Sequence, residues 1–508
     1  MIARQPFVLV ILDGWGIAPA GPGNAIALAH KPTYDALIER YPATTVTASG
    51  DAVGLLHNAA GNSEAGHMNL GGGRIVKQQV RIISDAIEDG SFFTNPAFSS
   101  LLHHVTSGTR RVHLMGLLSS DQSPHSHPSH LVALRQLCRD AGVSVFFHLF
   151  TDGRDSSPRA AADFLNAFDL HPSERIASIC GRAYAMDRKN DWSRTAAAYN
   201  MLVDGRGAQA DSAASAIAAA YARGETDEFI TPTVIDVDGC VQDGDGVLFF
   251  NFRADRARQL TKAFVQPDFE VKNQPAFARR LLANLAFVTL TDYGPELTKV
   301  KFGYPEITVA ESLPFALQLL RQCYIGESEK FAHVTYFFNG GHAGPVAGEE
   351  RIRISSPDVL HYDTAPDMAA VEITDAVLSS IATEKTEFIV VNFANADMLG
   401  HTENIAAAVR GVECIDRCLG RIVNAALKKH GTVLITADHG NAEIMRTPDG
   451  QPFTEHTTSP VPCIVVSEQL RANRQSLRPG ILADIAPTVL ELLRLPKPEG
   501  MTGTSLIS

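Results

Sequence analysis

Residues 431–443 read GTVLITADHGNAE, an apolar run from Val433 to Thr436 that leads into the adjacent pair Asp438 and His439. A short, continuous run of Val, Leu and Ile after a glycine predicts a strand buried on both faces, the kind found in parallel sheets. Open α/β sheets place their active sites just beyond the carboxyl ends of such strands. The same grammar recurs on either side. Phe7 to Leu12 in FVLVILDGWG ends on Asp13, and Phe388 to Phe393 in FIVVNFANADMLGHTE leads into Asp397 and His401. The last two are four apart and share a face if the segment turns helically. His456 follows in TEHTTSPVP.

Any one of these residues alone is explained by a helix cap, an ion pair or an ordinary core histidine. Three aspartates and three histidines at repeated strand ends favour a metal centre. The set is too large for one tetrahedral ion and fits two ions about 3.5–4 Å apart, the arrangement that stabilises both oxygens of a phosphoryl displacement. Carboxylates mixed with imidazoles suit Mn²⁺ or Zn²⁺, and the lack of thiolates argues against a structural zinc site. GNSEAGH at 61–67 supplies a nucleophile candidate, Ser63. Its flanking glycines predict a sharp turn that exposes the hydroxyl, which becomes nucleophilic once a base or metal takes its proton.

These residues fall in a longer series: ILDGWG, GNSEAGHMNLGGGRIV, TDGRDSSPR, GRAYAMDR, NFRADRARQL, SEKFAHVTYFFNGG, NFANADMLGHT, TADHGNAE and HTTSPVP. The series, in this order over nearly the whole chain, resembles the cofactor-independent phosphoglycerate mutases of the alkaline phosphatase superfamily. That resemblance implies an alkaline-phosphatase-like three-layer α/β domain with a second α/β domain inserted. It implies interconversion of 2- and 3-phosphoglycerate without 2,3-bisphosphoglycerate, through a phosphoserine at Ser63. One ion would be held by Asp13, Ser63, Asp438 and His439, the other by Asp397, His401 and His456, with Mn²⁺ the metal the family often prefers. The substrate side would comprise His125, Arg154, Asp155, Arg182, Arg188, Arg253, Arg256 and Lys330. Asp155 is the acid/base candidate for the glycerate hydroxyl, although a carboxylate in DGRD serves equally well as an ion-pair partner. One stretch departs: the family reads Leu-Leu-Ser-Asp-Gly-Gly-Val-His-Ser-His where this chain has the longer LLSSDQSPHSH before and around His125.

Composition excludes other classes. A net charge of −12 on 508 residues disfavours nucleic acid and anionic membranes as partners. An acidic protein that binds an anionic substrate must concentrate its cations locally, which the arginine motifs do. No apolar run approaches the roughly 18 residues of a membrane span. The N-terminal FVLVIL runs straight into Asp13 without a cleavage site, so it is not a signal-peptide core. Seven cysteines without paired spacing indicate a reducing compartment, hence the cytoplasm. The family suggests a monomer.

Apolar runs alternating with amphipathic stretches predict α/β architecture with largely parallel sheets. If Asp13 and Ser63 share a site with Asp438 and His456, residues near both termini form one domain and the middle is inserted. The expected division is 1–77 with 303–508, metal-binding, and 78–302, substrate-binding. A metal-dependent phosphomonoesterase, or another phosphomutase on the same scaffold, is the alternative enzyme reading. A non-catalytic binding protein on a dead phosphatase domain is the third, and the intact Ser63 and ligand set argue against it.

Overall fold

A computed structural model describes residues 5–346 and 348–508. The chain divides into two compact units, Met1–Gln78 with Ile307–Ser508, and Gln79–Glu306. The middle of the chain is therefore one continuous body, entered at Gln78 and left at Glu306. The exit lies beyond the expected Phe302 because Phe302 belongs to the strand Lys301–Tyr304, which pairs in parallel with Ala286–Thr291 of the same unit.

The sheet of the first unit has eight strands. Five run parallel in the order Glu350–Ile354, Gln322–Glu327, Phe388–Phe393, Phe7–Leu12, Thr432–Thr436. Val461–Val466 then adds in antiparallel fashion, followed by Ala43–Thr47 and Gly480–Ile481. Every residue of Phe7–Leu12 and Phe388–Phe393 is buried, as runs that are apolar but for Asn392 require. Phe7 is in register with Phe388 on one side and Thr432 on the other, so the three strands end level.

The second unit also carries an eight-stranded sheet, in the order Lys301–Tyr304, Ala286–Thr291, Gly246–Phe249, Arg111–Leu118, Ser144–Thr151, Glu174–Gly181, Thr233–Val234, Ala208–Gln209. All neighbours are parallel except Glu174–Gly181 against Thr233–Val234. Successive side chains of a strand point to opposite faces. Val112 and Leu114 accordingly join one core with Leu101, Leu134 and Ile217, whereas Met115 and Leu117 join another. That second core includes Tyr199, Leu260 and Phe264. Helices thus cover both faces, giving helix, sheet and helix layers. An Ala-rich helix, Ala213–Ala222, belongs to the same unit, with Ser212 and Ser215 making its capping box.

Candidate active site

In the first unit the polar residues after the parallel strands converge. Asp13 follows Leu12, Lys330 follows Glu327 by three residues, Asp397 opens the short helix Asn395–Gly400, and Asp438 and His439 follow Thr436. The loops interlock through their backbones: the Asp397 amide donates to the Asp13 carbonyl at 2.9 Å, and the Asp13 amide to the Phe393 carbonyl at 3.0 Å. Glycine makes that approach possible. Gly14 has φ +77°, and a Cβ there would lie 2.5 Å from the Asp397 Cα. Gly66 lets the Ser63 helix pass against the loop of Asp438, whose carbonyl oxygen a Cβ would meet at 2.5 Å.

Ser63 departs from expectation. It is the first residue of a helix, Ser63–Gly72, capped by the Asn62 side chain, and is only 6% exposed. The turn that the glycines predict is a helix start, because Asn62 is a strong N-cap and Gly73 a left-handed stop. The hydroxyl is directed inward. Its Oγ donates to Asp13 Oδ1 at 3.2 Å, lies 3.0 Å from His439 Nε2, and accepts from Lys330 Nζ at 2.9 Å. Lys330, expected with the substrate residues, also donates to Asp13 Oδ1 at 2.7 Å and to Asp397 Oδ2 at 2.5 Å.

His401, His439 and His456 share one device. Each presents Nδ1 to a backbone carbonyl, of Thr454 at 2.7 Å, Gly440 at 3.2 Å and Gly61 at 2.9 Å respectively. A carbonyl only accepts, so each Nδ1 carries a hydrogen and each Nε2 is turned inward as the potential ligand atom. His401 and His456 bring their Nε2 atoms within 3.1 Å of one another, and Asp397 Oδ1 lies 3.1 Å from that of His456 and 3.3 Å from that of His401. Among the described residues two sets of donor atoms are close enough to share an ion: Asp397, His439 and His456, and Asp13, His67 and Asp438. Asp438 Oδ2 is buried without a hydrogen-bond partner. Inward nitrogens, hard carboxylates and an orphaned carboxylate oxygen fit divalent cations. All the expected ligands thus gather in this unit, and His67 joins them unforeseen.

The electrostatics are those of an anionic pit. Burial is the largest influence on Asp13 and would raise its carboxyl, but Lys330 and His439 outweigh it and hold Asp13 well below the usual range. Asp397 is likewise held down, by Lys330 and His401 against burial. Burial would lower His439, yet Asp438, Asp13 and Asp397 push it up to about 9. His456 goes the other way, down to about 4, through burial and the neighbouring His439.

The second unit gathers the arginines at the carboxyl ends of its own strands. Arg182, 2% exposed, donates from Nη1 to both Asp152 and Asp155. Asp152 also accepts from the Ser119 hydroxyl and from the backbone amides of Arg154 and Asp155. Arg188 donates to Asp255 Oδ2 at 2.7 Å, and Arg253 Nε lies 3.3 Å from Asp255 Oδ1. Between them stands His125, its Nε2 3.8 Å from Asp155 and its Nδ1 4.0 Å from Asp255. The longer loop therefore still presents this ring to the cluster. Burial and then Arg253, Arg182, Arg256 and Arg188 keep it well below its ordinary value, hence neutral. Arg256 is lowered to about 10 by burial and by crowding from Arg182, Arg188 and Arg154. Arg154 stands at the edge, 3.5 Å from Glu228. Crowded guanidinium groups of this kind, of which only Arg182 is fully buried, suit an anionic ligand.

His127 and His130 take no part in this cluster. The first caps the helix Pro128–Asp140 and the second lies 3.0 Å from the Ser84 hydroxyl. Asp152 and Asp255, which orient the arginines, were not foreseen, although both lie inside quoted motifs. Asn392 and Asn441, which donate to Asp13 Oδ2 at 2.8 Å and Asp397 Oδ1 at 3.1 Å, were also missed. Asn392 gives no signal beyond an amide inside an otherwise apolar strand.

Comparison with known proteins bears on both units. A family model described as the Metalloenzyme superfamily matches residues 5–497. The 2,3-bisphosphoglycerate-independent phosphoglycerate mutase of Moorella thermoacetica is 48% identical over 516 residues, covering 99% of this chain and 98% of its own. That of Desulforudis audaxviator is 47% identical over 521 residues, covering 100% of each chain. A crystal structure of Leishmania mexicana phosphoglycerate mutase at low cobalt concentration matches with a TM-score of 0.82 and 29% identity, over 99% of this chain and 98% of that one. A likeness that runs from end to end, through the metal-ligand motifs and the arginine motifs alike, leaves one assignment: the chain belongs to the 2,3-bisphosphoglycerate-independent phosphoglycerate mutase family, within the Metalloenzyme superfamily.

Proposed function

We propose that this chain interconverts 2-phosphoglycerate and 3-phosphoglycerate, without 2,3-bisphosphoglycerate, by passing the phosphoryl group through Ser63. The observation that carries this is the setting of the Ser63 hydroxyl, within hydrogen-bond reach of Asp13, His439 and Lys330 at once. Asp13, Asp438 and His439 would hold one divalent ion beside Ser63, and Asp397, His401 and His456 a second, with Mn²⁺ the proposed metal. Such ions lower the pKa of a hydroxyl they contact and neutralise phosphoryl oxygens. Three carboxylates, one ammonium and two divalent ions leave a surplus of two positive charges, which matches a phosphomonoester dianion.

Ser63 attacks phosphorus as the alkoxide: the Oγ–P bond forms, the bond from phosphorus to the glycerate oxygen breaks, and that oxygen takes its proton from Asp155, which becomes the carboxylate. Lys330 follows the charge on Oγ and on the transferring group. The arginines hold the glycerate carboxylate, for which a forked guanidinium is suited. Asp155, drawn against Arg182 as a carboxylate acceptor, takes the proton from the other glycerate hydroxyl as that oxygen attacks phosphoserine. The activity places the chain in glycolysis and gluconeogenesis, and we place it in the cytoplasm as a monomer. Among the described residues no helix is long and apolar enough to cross a membrane.

A coupled enolase assay tests the reading directly. Turnover of 3-phosphoglycerate should proceed unchanged without 2,3-bisphosphoglycerate, and a strict requirement for that compound rejects the proposal. Chelation should abolish the rate. Acid should act like a chelator, because His401, His439 and His456 bind metal through a deprotonated Nε2 and protons compete for it. The free imidazole value is about 6.5, and the carboxylates hold the His439 proton up to about 9. Metal affinity should therefore fall as pH drops from about 9, and added Mn²⁺ should move the acid limb of activity to lower pH. An acid limb that saturating Mn²⁺ leaves in place assigns it to another group.

Arg256 provides a separate check on the second unit. Arg256→Lys keeps a charge but loses the planar fork. It should raise KM, lower the mutase rate and raise the share of turnovers that end as glycerate plus free phosphate. Measuring phosphate and isomerised product together decides it; an unchanged rate and product ratio removes Arg256 from glycerate retention.

A further inference from the structure

His67 lies one turn along the helix from Ser63, wholly buried, with a ring nitrogen within 4.8 Å of both carboxylates proposed for the ion beside Ser63, without being among the ligands expected there. Its Nδ1 faces the Ser63 carbonyl oxygen at 2.9 Å and lies 3.2 Å from Asp438 Oδ2. Its Nε2 lies 3.0 Å from Asn392 Nδ2, and the same Nδ2 donates to Asp13 Oδ2 at 2.8 Å. The amide orientation follows: the opposite one would set its carbonyl oxygen against the Asp13 carboxylate. Asn392 Nδ2 therefore donates twice, which makes His67 Nε2 the bare, accepting nitrogen and puts the ring hydrogen on Nδ1, toward the Ser63 carbonyl. Both ring nitrogens are occupied, so neither is available to an ion.

We propose that His67 and Asn392 form a positioning bridge: a fixed-tautomer imidazole and a fixed amide that tie the backbone of Ser63 to Asp13, and stand beside Asp438, so that both carboxylates are aimed at one ion that His67 itself does not bind. The bridge runs from the nucleophile's own carbonyl through two side chains to a metal ligand. Outer partners of this kind orient ligands, and their loss typically weakens metal binding about 10–100-fold. The His67 ring is held in turn against that of His333, centroids 5.5 Å apart. The inference rests on the proposed two-ion reading.

The test is Mn²⁺ affinity and stoichiometry, measured by competition with a metal-binding dye, for Asn392→Leu, His67→Leu and His67→Gln in the full-length protein. Asn392→Leu and His67→Leu should still bind two ions, one of them about 10–100-fold more weakly. His67→Gln, whose amide oxygen accepts from Asn392, should stay close to wild type. Should His67→Leu not fold, the other two variants carry the comparison. Wild-type affinity in Asn392→Leu, or loss of one ion outright in His67→Leu with Asn392→Leu unaffected, overturns the bridge; the second result would make His67 a ligand. A wild-type protein that binds no Mn²⁺ overturns the two-ion reading itself.

Discussion

Ser63→Ala should remove phosphoglycerate mutase turnover by roughly 10⁴-fold or more, the scale on which loss of a nucleophile is felt, while the protein remains folded. The fold should tolerate the change for local reasons. Position 63 opens a helix whose cap is the Asn62 side chain and not Ser63, and alanine is a good helix residue. The lost contacts are those of one hydroxyl, and Lys330 keeps its two carboxylate partners, Asp13 and Asp397. Metal binding should weaken modestly, since Ser63 is one donor among several. Intact-mass analysis of acid-quenched wild type should find one added phosphoryl group on Ser63, and none in Ser63→Ala. A variant that keeps more than a few per cent of the wild-type rate would end the phosphoserine scheme, whatever its fold.

The legible part of this site was the part written next to strands. Asp13, Asp397, Asp438 and His439 each follow a run that has to be a buried parallel strand, so their meeting at one sheet edge follows from topology once the strands are neighbours. Register is what turned adjacency into a site, since Phe7, Phe388 and Thr432 lie side by side and their loops emerge together. The Ser63 helix was hidden because GNSEAGH carries the marks of a turn. Its helical start shows only in the pairing of a capping Asn62 with a glycine stop at Gly73, which bracket the ten residues of the helix. Lys330 was legible as a cation of the site but not in its contacts. A lysine in sequence offers a charge but no direction, and its role as the cation among Asp13, Asp397 and Ser63 is a property of three strands at once. Asp152 and Asp255 were overlooked inside motifs read for their arginines, although crowded guanidinium groups, the buried Arg182 above all, require counter-ions.

That position of Lys330 makes its removal the most severe change after Ser63→Ala. Burial would lower the ammonium, but Asp13, Asp397 and Asp438 outweigh it and push it up, so the proton is held firmly. Without the lysine, three carboxylates share a buried pit with the protonated His439 as their main fixed cation. Deleting one partner of a buried ionic cluster commonly costs about 3–5 kcal/mol, because the remaining charge stays desolvated. Lys330→Met, nearly matched in length, should therefore lose stability on that order when metal is absent, read by urea denaturation in chelator. Part of the loss should return on adding Mn²⁺, since divalent ions neutralise the same carboxylates. Activity should behave otherwise. Lys330 Nζ contacts the Ser63 oxygen itself, and removing one preorganised donor from a reacting oxygen typically costs about 10²–10³-fold. Saturating Mn²⁺ should thus return part of the stability of Lys330→Met and leave its rate about 10²–10³-fold below wild type. Lys330→Arg should not rescue it, because a planar fork cannot place one nitrogen against three oxygens as an ammonium does. Recovery of rate in step with stability would reduce Lys330 to a structural counter-ion and leave Ser63 to be activated by metal and His439 alone.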